Sequence, residues 1–301
     1  MSVKQNKYIK SPLNFIGGKH KIIDQLINLF PKNITRFIDL FCGGLNVGIN
    51  INAKKIIAND SMAEIIKIFE MLKEMDSKVV LDRIESLIIK NKLSQTSIYG
   101  YEKYQTDSRK GVAKFNKEKY IKLREKYNKS KTKNPMILYV LIIYAFNNQI
   151  RFNSKNEFNL PVNKRDFTNS MKKNLIEFSD KLKKINIEFY NHDYKFLKFK
   201  KSDFIYADPP YLISTATYNE NGGWNEIKEE GLLEYLNKCD NKGIKFALSN
   251  VLENKGKKNN ILIEWSKRYK VHKINRSYRN ANYNISKKSK NNTNEVLITN
   301  Y

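Results

Sequence analysis

Phe204-Ile205-Tyr206-Ala207-Asp208-Pro209-Pro210-Tyr211 is an apolar run that stops at a carboxylate and two prolines. A short continuous apolar run is the pattern of a strand buried on both faces of a parallel sheet, so an α/β architecture is expected. Asp208 then sits at a strand's carboxyl end, where open α/β sheets hold their ligands. Pro209 and Pro210 fix φ and carry no N–H, so the loop offers carbonyl oxygens and few donors. Asp208 and the Pro209 carbonyl can both accept from one NH₂ group, and Tyr211 offers a flat face for stacking. The ligand implied is an amino-bearing base. An aromatic amine is a poor nucleophile because its lone pair is delocalised into the ring. Two acceptors that hold both amine hydrogens out of the ring plane favour a pyramidal nitrogen, whose localised lone pair can attack an electrophilic methyl carbon before any proton is removed. Taken alone, the tetrapeptide also reads as a strand-ending turn stiffened by prolines.

Earlier in the chain, Gly17-Gly18-Lys19 precedes a helical pattern (Ile22, Ile23, Leu26, Ile27, Phe30) that stops at Pro31, which puts the glycines and Lys19 at a helix start. Arg36 to Phe41 reads as a first strand, and Gly43-Gly44 with Gly48 as a tight turn after it. The glycine spacing is not GxGxxG, so no phosphate cradle is expected. Lys55 to Asn59 reads as a second strand. It ends in Asp60, about twenty residues beyond Asp39, the position where an acid meets ribose hydroxyls. A strand-ending Asp can equally cap the following helix, here from Met62.

Helical patterns follow over Ala63–Met75 and Val79–Lys90. Between Tyr101 and Lys133, Lys and Arg outnumber acids twelve to four, and Tyr99, Tyr101, Tyr104, Phe115, Tyr120 and Tyr127 interleave with them. That is the expected composition of a surface laid on a phosphate backbone, or else of a solvated helical face. A buried helix from Pro135 to Asn147 delivers a polar loop, Asn148 to Pro161, in which Asn148, Gln149, Arg151 and Asn153 carry the amide and guanidinium groups that read base edges. A hairpin held by its own Asn side chains is the other account of this loop. Further on come a helix over Asp166–Lys184 and a strand Ile187–Tyr190 whose turn bears Asp193. Leu212 to Trp224 reads as a lid with Tyr218 and Trp224. A helix Ile227–Leu236, a strand Lys245–Asn250, a helix Ile261–Tyr269 and a closing strand Glu295–Thr299 complete the pattern. From Lys255 to Lys290 there are twelve basic residues and one acid, and Lys287 and Lys288 in this stretch are expected on DNA phosphates.

The 301 residues carry 56 Lys and Arg against 30 Asp and Glu, a net charge of +26 that solubility does not require and a polyanion partner would explain. A hydrophobic share of 41% supports a sizeable core. Cys42 and Cys239 stand far apart with no CxxC spacing, which fits a reducing, cytoplasmic setting and neither a disulfide framework nor zinc. His20, His192 and His272 have no metal-ligand spacing, so no metal is expected. The start of the chain leads to no apolar signal region, and Met136–Phe146 is too short to span a bilayer, so no membrane role is expected.

Leu13-Asn14-Phe15-Ile16-Gly17-Gly18-Lys19, Asp39-Leu40-Phe41-Cys42-Gly43-Gly44, Asn59-Asp60, Arg151-Phe152-Asn153 with Phe158-Asn159-Leu160-Pro161, and Asp208 to Tyr211 occur in the order seen in the Dam-type adenine-specific DNA methyltransferases, which the chain resembles over nearly its whole length. The resemblance implies a doubly wound, Rossmann-like catalytic domain (residues 1–70 and 165–301) with a mostly helical target-recognition insertion (71–164). It implies S-adenosyl-L-methionine as methyl donor, with Phe15, Gly17, Lys19, Asp39, Phe41, Gly43, Asp60, Asp193 and Asp208 as cofactor contacts. Phe15 stands where the family usually has Trp, and so lacks the indole N–H. The catalytic residues implied are Asp208, Pro209, Pro210 and Tyr211, acting on the N6 amine of an adenine flipped out of duplex DNA. In GATC-methylating relatives the segment from Arg151 to Pro161 forms the recognition hairpin. The Lys-Asn-rich tip here departs from their glycine, so a site other than GATC stays open. The setting implied is restriction-modification, with a cognate endonuclease that need not touch this chain, or phage-type modification. Two other readings remain: an RNA adenine or protein-glutamine methyltransferase, the latter usually with Asn at the Asp208 position, and an idle DNA-binding module.

Overall fold

A computed structural model describes residues 8–15, 17–213, 223–275 and 293–301. Its strands are β1 (Ile34–Asp39), β2 (Ala53–Asn59), β3 (Ile187–Tyr190), β4 (Asp203–Ala207), β5 (Lys245–Asn254), β6 (Lys257–Lys258), β7 (Lys270–Lys273) and β8 (Thr293–Thr299). Its helices are α1 (Ile23–Leu29), α2 (Ala63–Glu74), α3 (Ser77–Lys90), α4 (Thr96–Tyr99), α5 (Ala113–Lys129), α6 (Pro135–Tyr144), α7 (Asn169–Lys184), α8 (Glu226–Asn241) and α9 (Asn260–Ser266). The chain divides into two compact units: residues 1–18, 43–50 and 62–191 form the first, and 19–42, 51–61 and 192–301 the second.

The second unit is a twisted sheet in the order β2-β1-β4-β5-β8-β7, with β6 folded back on the end of β5. β2, β1, β4 and β5 run parallel, and β8 and β7 close the sheet antiparallel. All five residues of β4 are buried: the apolar run Phe204–Ala207 and, before it, Asp203. The two central strands are clamped at their amino ends, where Arg36 donates Nε to Asp203 Oδ1 at 2.8 Å and Nη2 to Oδ2 at 2.5 Å. A two-pronged guanidinium–carboxylate pair of this kind fixes register as well as adding energy. Phe37, Phe204 and Tyr206 pack with Phe30 beneath the sheet. The segment read as one helix over Ile261–Tyr269 is shorter, ending at Ser266, and β7 follows as a strand that its short, charged sequence gave little reason to expect.

The first unit is mainly helical. α6 is apolar all round and correspondingly buried, sheathed by α2, α3 and α5. Asn134 caps it by accepting from the Met136 and Ile137 amides, and Pro135 takes the first helical position. The helix stops at Tyr144, short of the expected Asn147: Ala145 is already extended (φ −78°, ψ 152°), and Asn147 and Asn148 beyond it are left-handed (φ 52° and 53°). Asp166, 1% exposed, ties Ser94 and Thr96 together through three hydrogen bonds of 2.6–2.7 Å. The basic, aromatic stretch is amphipathic. Tyr120 and Tyr127 face inward and are buried, while Tyr99 and Phe115 remain exposed with Lys103 and Lys119 over their rings. Only part of the expected aromatic surface is therefore a surface.

Candidate active site

In the second unit, acids stand at or just past three strand ends: Asp39 closes β1, Asp60 follows β2 and Asp208 follows β4. The chain runs from β1 to β2 on one side and later returns to β4 on the other, so β1 and β4 form the switch point at which an open α/β sheet leaves a crevice. Asp39 pairs with Tyr206, and the Leu40 amide donates to the Tyr206 carbonyl at 2.9 Å. The first and last of these acids are thereby held at one end of the sheet.

Asp208 is 19% exposed, and its Oδ1 accepts from the Lys19 ammonium at 2.8 Å and the Tyr211 hydroxyl at 3.0 Å. Lys19 is 3% exposed and opens the 3-10 turn before α1. Its ammonium also lies 3.7 Å from Glu295 Oε1 and 5.0 Å from the centre of the Tyr211 ring. Burial pushes the Asp208 carboxyl above the usual carboxylate range, Lys19 opposes that, and Glu295 adds to it. Burial first, then the two carboxylates, holds the Tyr211 phenol well above its ordinary value. Tyr211 therefore stays protonated and serves Asp208 as a donor, a role beyond the stacking face its sequence suggested.

Asn59 staples the neighbouring strand ends. Its amide donates to the Leu40 carbonyl at 3.2 Å and the His192 carbonyl at 3.1 Å, and its Oδ1 accepts from the His192 amide at 3.1 Å. Asp60 and Asp193 each lie one residue from this staple. Asp193 is exposed and accepts from the Lys195 amide at 3.0 Å, which starts the turn Tyr194–Phe196. Phe41 lies against Tyr194 (centroids 5.3 Å apart) and the edge of Trp224 (5.9 Å). Trp224 was expected on a lid. Instead it is 9% exposed and donates its indole N–H to Glu229 at 2.6 Å; Tyr218 lies outside the described residues.

Glu229 is fully buried and also accepts from Asn250 at 3.0 Å and Asn259 at 2.9 Å. Glu229→Ala strands three buried donors at once and is expected to destabilise the fold by about 3 kcal/mol. A melting temperature within about 2 °C of wild type would contradict that.

In the first unit, Phe15 is half-buried, and Gly43 sits against it: a Cβ on Gly43 would lie 3.5 Å from the Phe15 ring, and its φ of +45° disfavours any side chain. Gly17, also left-handed (φ +83°), is exposed. The polar loop is a short hairpin bridged through Phe152 and Phe158. α5 carries it: Asn128 exchanges two 3.0 Å bonds with Phe158, while Tyr120 and Arg124 both donate to the Leu160 carbonyl. Asn153 is spent on the turn, accepting from the Lys155 and Glu157 amides and donating to the Glu157 carboxylate. Asn148 donates to the Ile143 carbonyl at the end of α6. Arg151 donates Nε to Asn159 Oδ1 at 2.9 Å, which fixes the plane of its guanidinium, and Gln149 is half-buried. The expected DNA contacts Lys287 and Lys288 lie outside the described residues.

Sequence reading missed Asn59 as a staple and Glu295 as a neighbour of Lys19. A signal for the second existed, since an acid opening the apolar run Val296-Leu297-Ile298 is costly to bury without a partner.

A family model described as "D12 class N6 adenine-specific DNA methyltransferase" matches residues 15–280. The type II methyltransferase M.FokI of Planomicrobium okeanokoites is 41% identical over 99% of this chain and 44% of its own length. The modification methylase StsI of Streptococcus sanguinis is 40% identical over 98% of this chain and 43% of its own length. The DNA adenine methylase of Escherichia coli K12 is 23% identical over 69% of this chain and 66% of its own. The chain thus spans less than half the length of these first two relatives.

Proposed function

We propose that this chain, which belongs to the D12 class of N6 adenine-specific DNA methyltransferases, transfers a methyl group from S-adenosyl-L-methionine to the N6 amine of an adenine flipped out of duplex DNA. The observation that carries the reading is the acceptor loop: a carboxylate just past β4, held by Lys19 and Tyr211, followed by two prolines. Within a duplex the amine is paired and turned away from any methyl donor, so the base must leave the stack. Asp208 and the Pro209 carbonyl then accept its two hydrogens, and Tyr211 and Pro210 bound the pocket.

The residues fit the donor. Asp60 supplies a carboxylate for ribose hydroxyls, Asp39 and Asp193 supply further acids at strand ends, and Phe41 stands in a cluster of rings that suits an adenosyl group. Phe15, Gly17 and Gly43 are proposed as cofactor contacts on sequence grounds. When bound, the donor supplies a methyl carbon made electrophilic by its sulfonium. This chain's residues orient the amine, and Lys19 with Tyr211 favours the ionised form of Asp208 against its burial. Site recognition is assigned to residues 71–164, Arg151 and Gln149 above all, with Asn148 and Asn153 shaping the hairpin and Lys287 and Lys288 on phosphates. Modification within a restriction system, alongside an endonuclease, is the setting that the relatives' names support.

Incorporation of labelled methyl groups into duplex DNA, followed by nucleoside analysis, tests the activity; label in any product but N6-methyladenine would overturn it. For recognition, a guanidinium held through Nε presents its remaining N–H groups to guanine O6 and N7, a contact worth about 1–3 kcal/mol of discrimination. Arg151→Ala is therefore expected to relax the site at one base when a randomised duplex library is methylated. An unchanged site logo at reduced rate would instead make Arg151 a backbone contact.

A further inference from the structure

Lys19, read from the sequence as a helix-start residue near the donor, has its ammonium between two carboxylates, Asp208 at 2.8 Å and Glu295 at 3.7 Å. Glu295 is 2% exposed and lies on β8, far in sequence from every motif of the site. Its backbone is fixed on both sides: it is paired with Val251 of β5, and its carbonyl accepts from the Ile274 amide at 2.9 Å. The carboxylate is therefore delivered to Lys19 by the antiparallel part of the sheet, which sequence comparison with the acceptor loop would not single out.

We propose that Glu295 is a positioning residue for the Asp208 carboxylate, acting through Lys19. It lies within ion-pair distance of the same ammonium as Asp208, so that two buried carboxylates meet one lysine. The inference rests on the function proposed above for Asp208 and names a residue that no motif of the site contains. Among the described residues, the titratable and charged groups that act on Asp208 include Lys19 before α1, Tyr211 on its own loop, Tyr206 on β4 and Glu295 on β8. Of these, Glu295 is a carboxylate that raises the Asp208 pKa, against the lowering by Lys19. Two consequences pull apart. Losing the Glu295 charge makes Asp208 easier to ionise, yet it also loosens the ammonium that aims it.

The test reads Asp208 directly. In full-length chain labelled with ¹³C at aspartate Cγ, the Asp208 resonance is identified by its loss in Asp208→Asn and then titrated. Glu295→Gln is expected to lower its midpoint by about one pH unit, and Lys19→Met to raise it. Single-turnover methyl transfer should fall about tenfold on its high-pH plateau in Glu295→Gln, with rescue by Glu295→Asp, which keeps the charge. If Glu295→Gln does not fold, the same change is made in the Lys19→Met background. There it removes the second buried carboxylate and is expected to lower the midpoint again and to speed methyl transfer relative to Lys19→Met. An Asp208 midpoint that stays within about 0.2 of the parent in both backgrounds overturns the inference. The titration needs no activity, so a wild type that makes no N6-methyladenine would defeat the proposed function and leave this result standing on its own.

Discussion

Asp208→Ala is expected to lower single-turnover methyl transfer by on the order of 100-fold or more, with donor and DNA binding little changed. In the proposed reaction the carboxylate accepts an amine hydrogen in the geometry that frees the nitrogen lone pair. A contact made mainly in the transition state is worth about 3 kcal/mol, which converts to roughly that factor. The wild-type pH profile should show the same group. Burial raises the Asp208 pKa, so the working carboxylate is present above that raised value, and the rate falls as pH drops through it, sooner than an ordinary carboxylate would give. Activity of the alanine variant within about threefold of wild type would remove Asp208 from the reaction.

Lys19→Met should cost nearly as much, on the order of 100-fold at neutral pH, although the side chain need not touch the substrate. Methionine keeps the length and bulk of lysine but deletes the charge that the buried Asp208 and Glu295 both approach. Breaking such an arrangement by removing one partner costs about 3–5 kcal/mol. The chain limits that cost by binding a proton. Because Lys19 lowers the Asp208 pKa, its removal raises it, and the acid limb of the pH–rate profile moves to higher pH. The signature is an alkaline displacement of the limb together with a lower melting temperature. A profile that superimposes on wild type would mean that Lys19 serves only to pack the turn before α1.

Much of this was legible in the sequence, for physical reasons that differ by residue. β4 and Asp208 were readable because the run Phe204–Ala207 is apolar throughout and ends at a carboxylate, although the strand itself begins one residue earlier at the buried Asp203. β1 and β2 were readable from their apolar runs, and Asp60 does follow the end of β2. The partnership of Lys19 with Asp208 was not, since nothing local to Gly17-Gly18-Lys19 says which distant acid its ammonium will meet. Tyr120 and Tyr127 misled in the opposite sense: composition placed them on a basic surface, whereas the helical period of α5 turns both rings inward. Trp224 likewise read as part of a polar lid, and the buried Glu229 that claims its indole comes from the helix after it. Asn153 read as a base-reading amide or a turn residue, and its hydrogen bonds serve the turn.

The clamp between Arg36 and Asp203 joins residues 167 positions apart, and this bears on the order in which the chain assembles. As the polypeptide is synthesised, β1 meets β2 within two dozen residues, but its other edge must wait until β4 has been made. That edge carries Phe37 and Ile38, whose eventual partners are Phe204 and Ile205. A long-range parallel pairing of this kind is slow to form, and its unpaired apolar edge is exposed to other chains in the interval. The acceptor loop lies directly after β4, so the part of the protein that gives it chemistry becomes ordered only when this last central strand docks. In a refolding experiment, methyl transfer should therefore recover with the slow phase, after the helices of residues 62–184 have regained their circular dichroism.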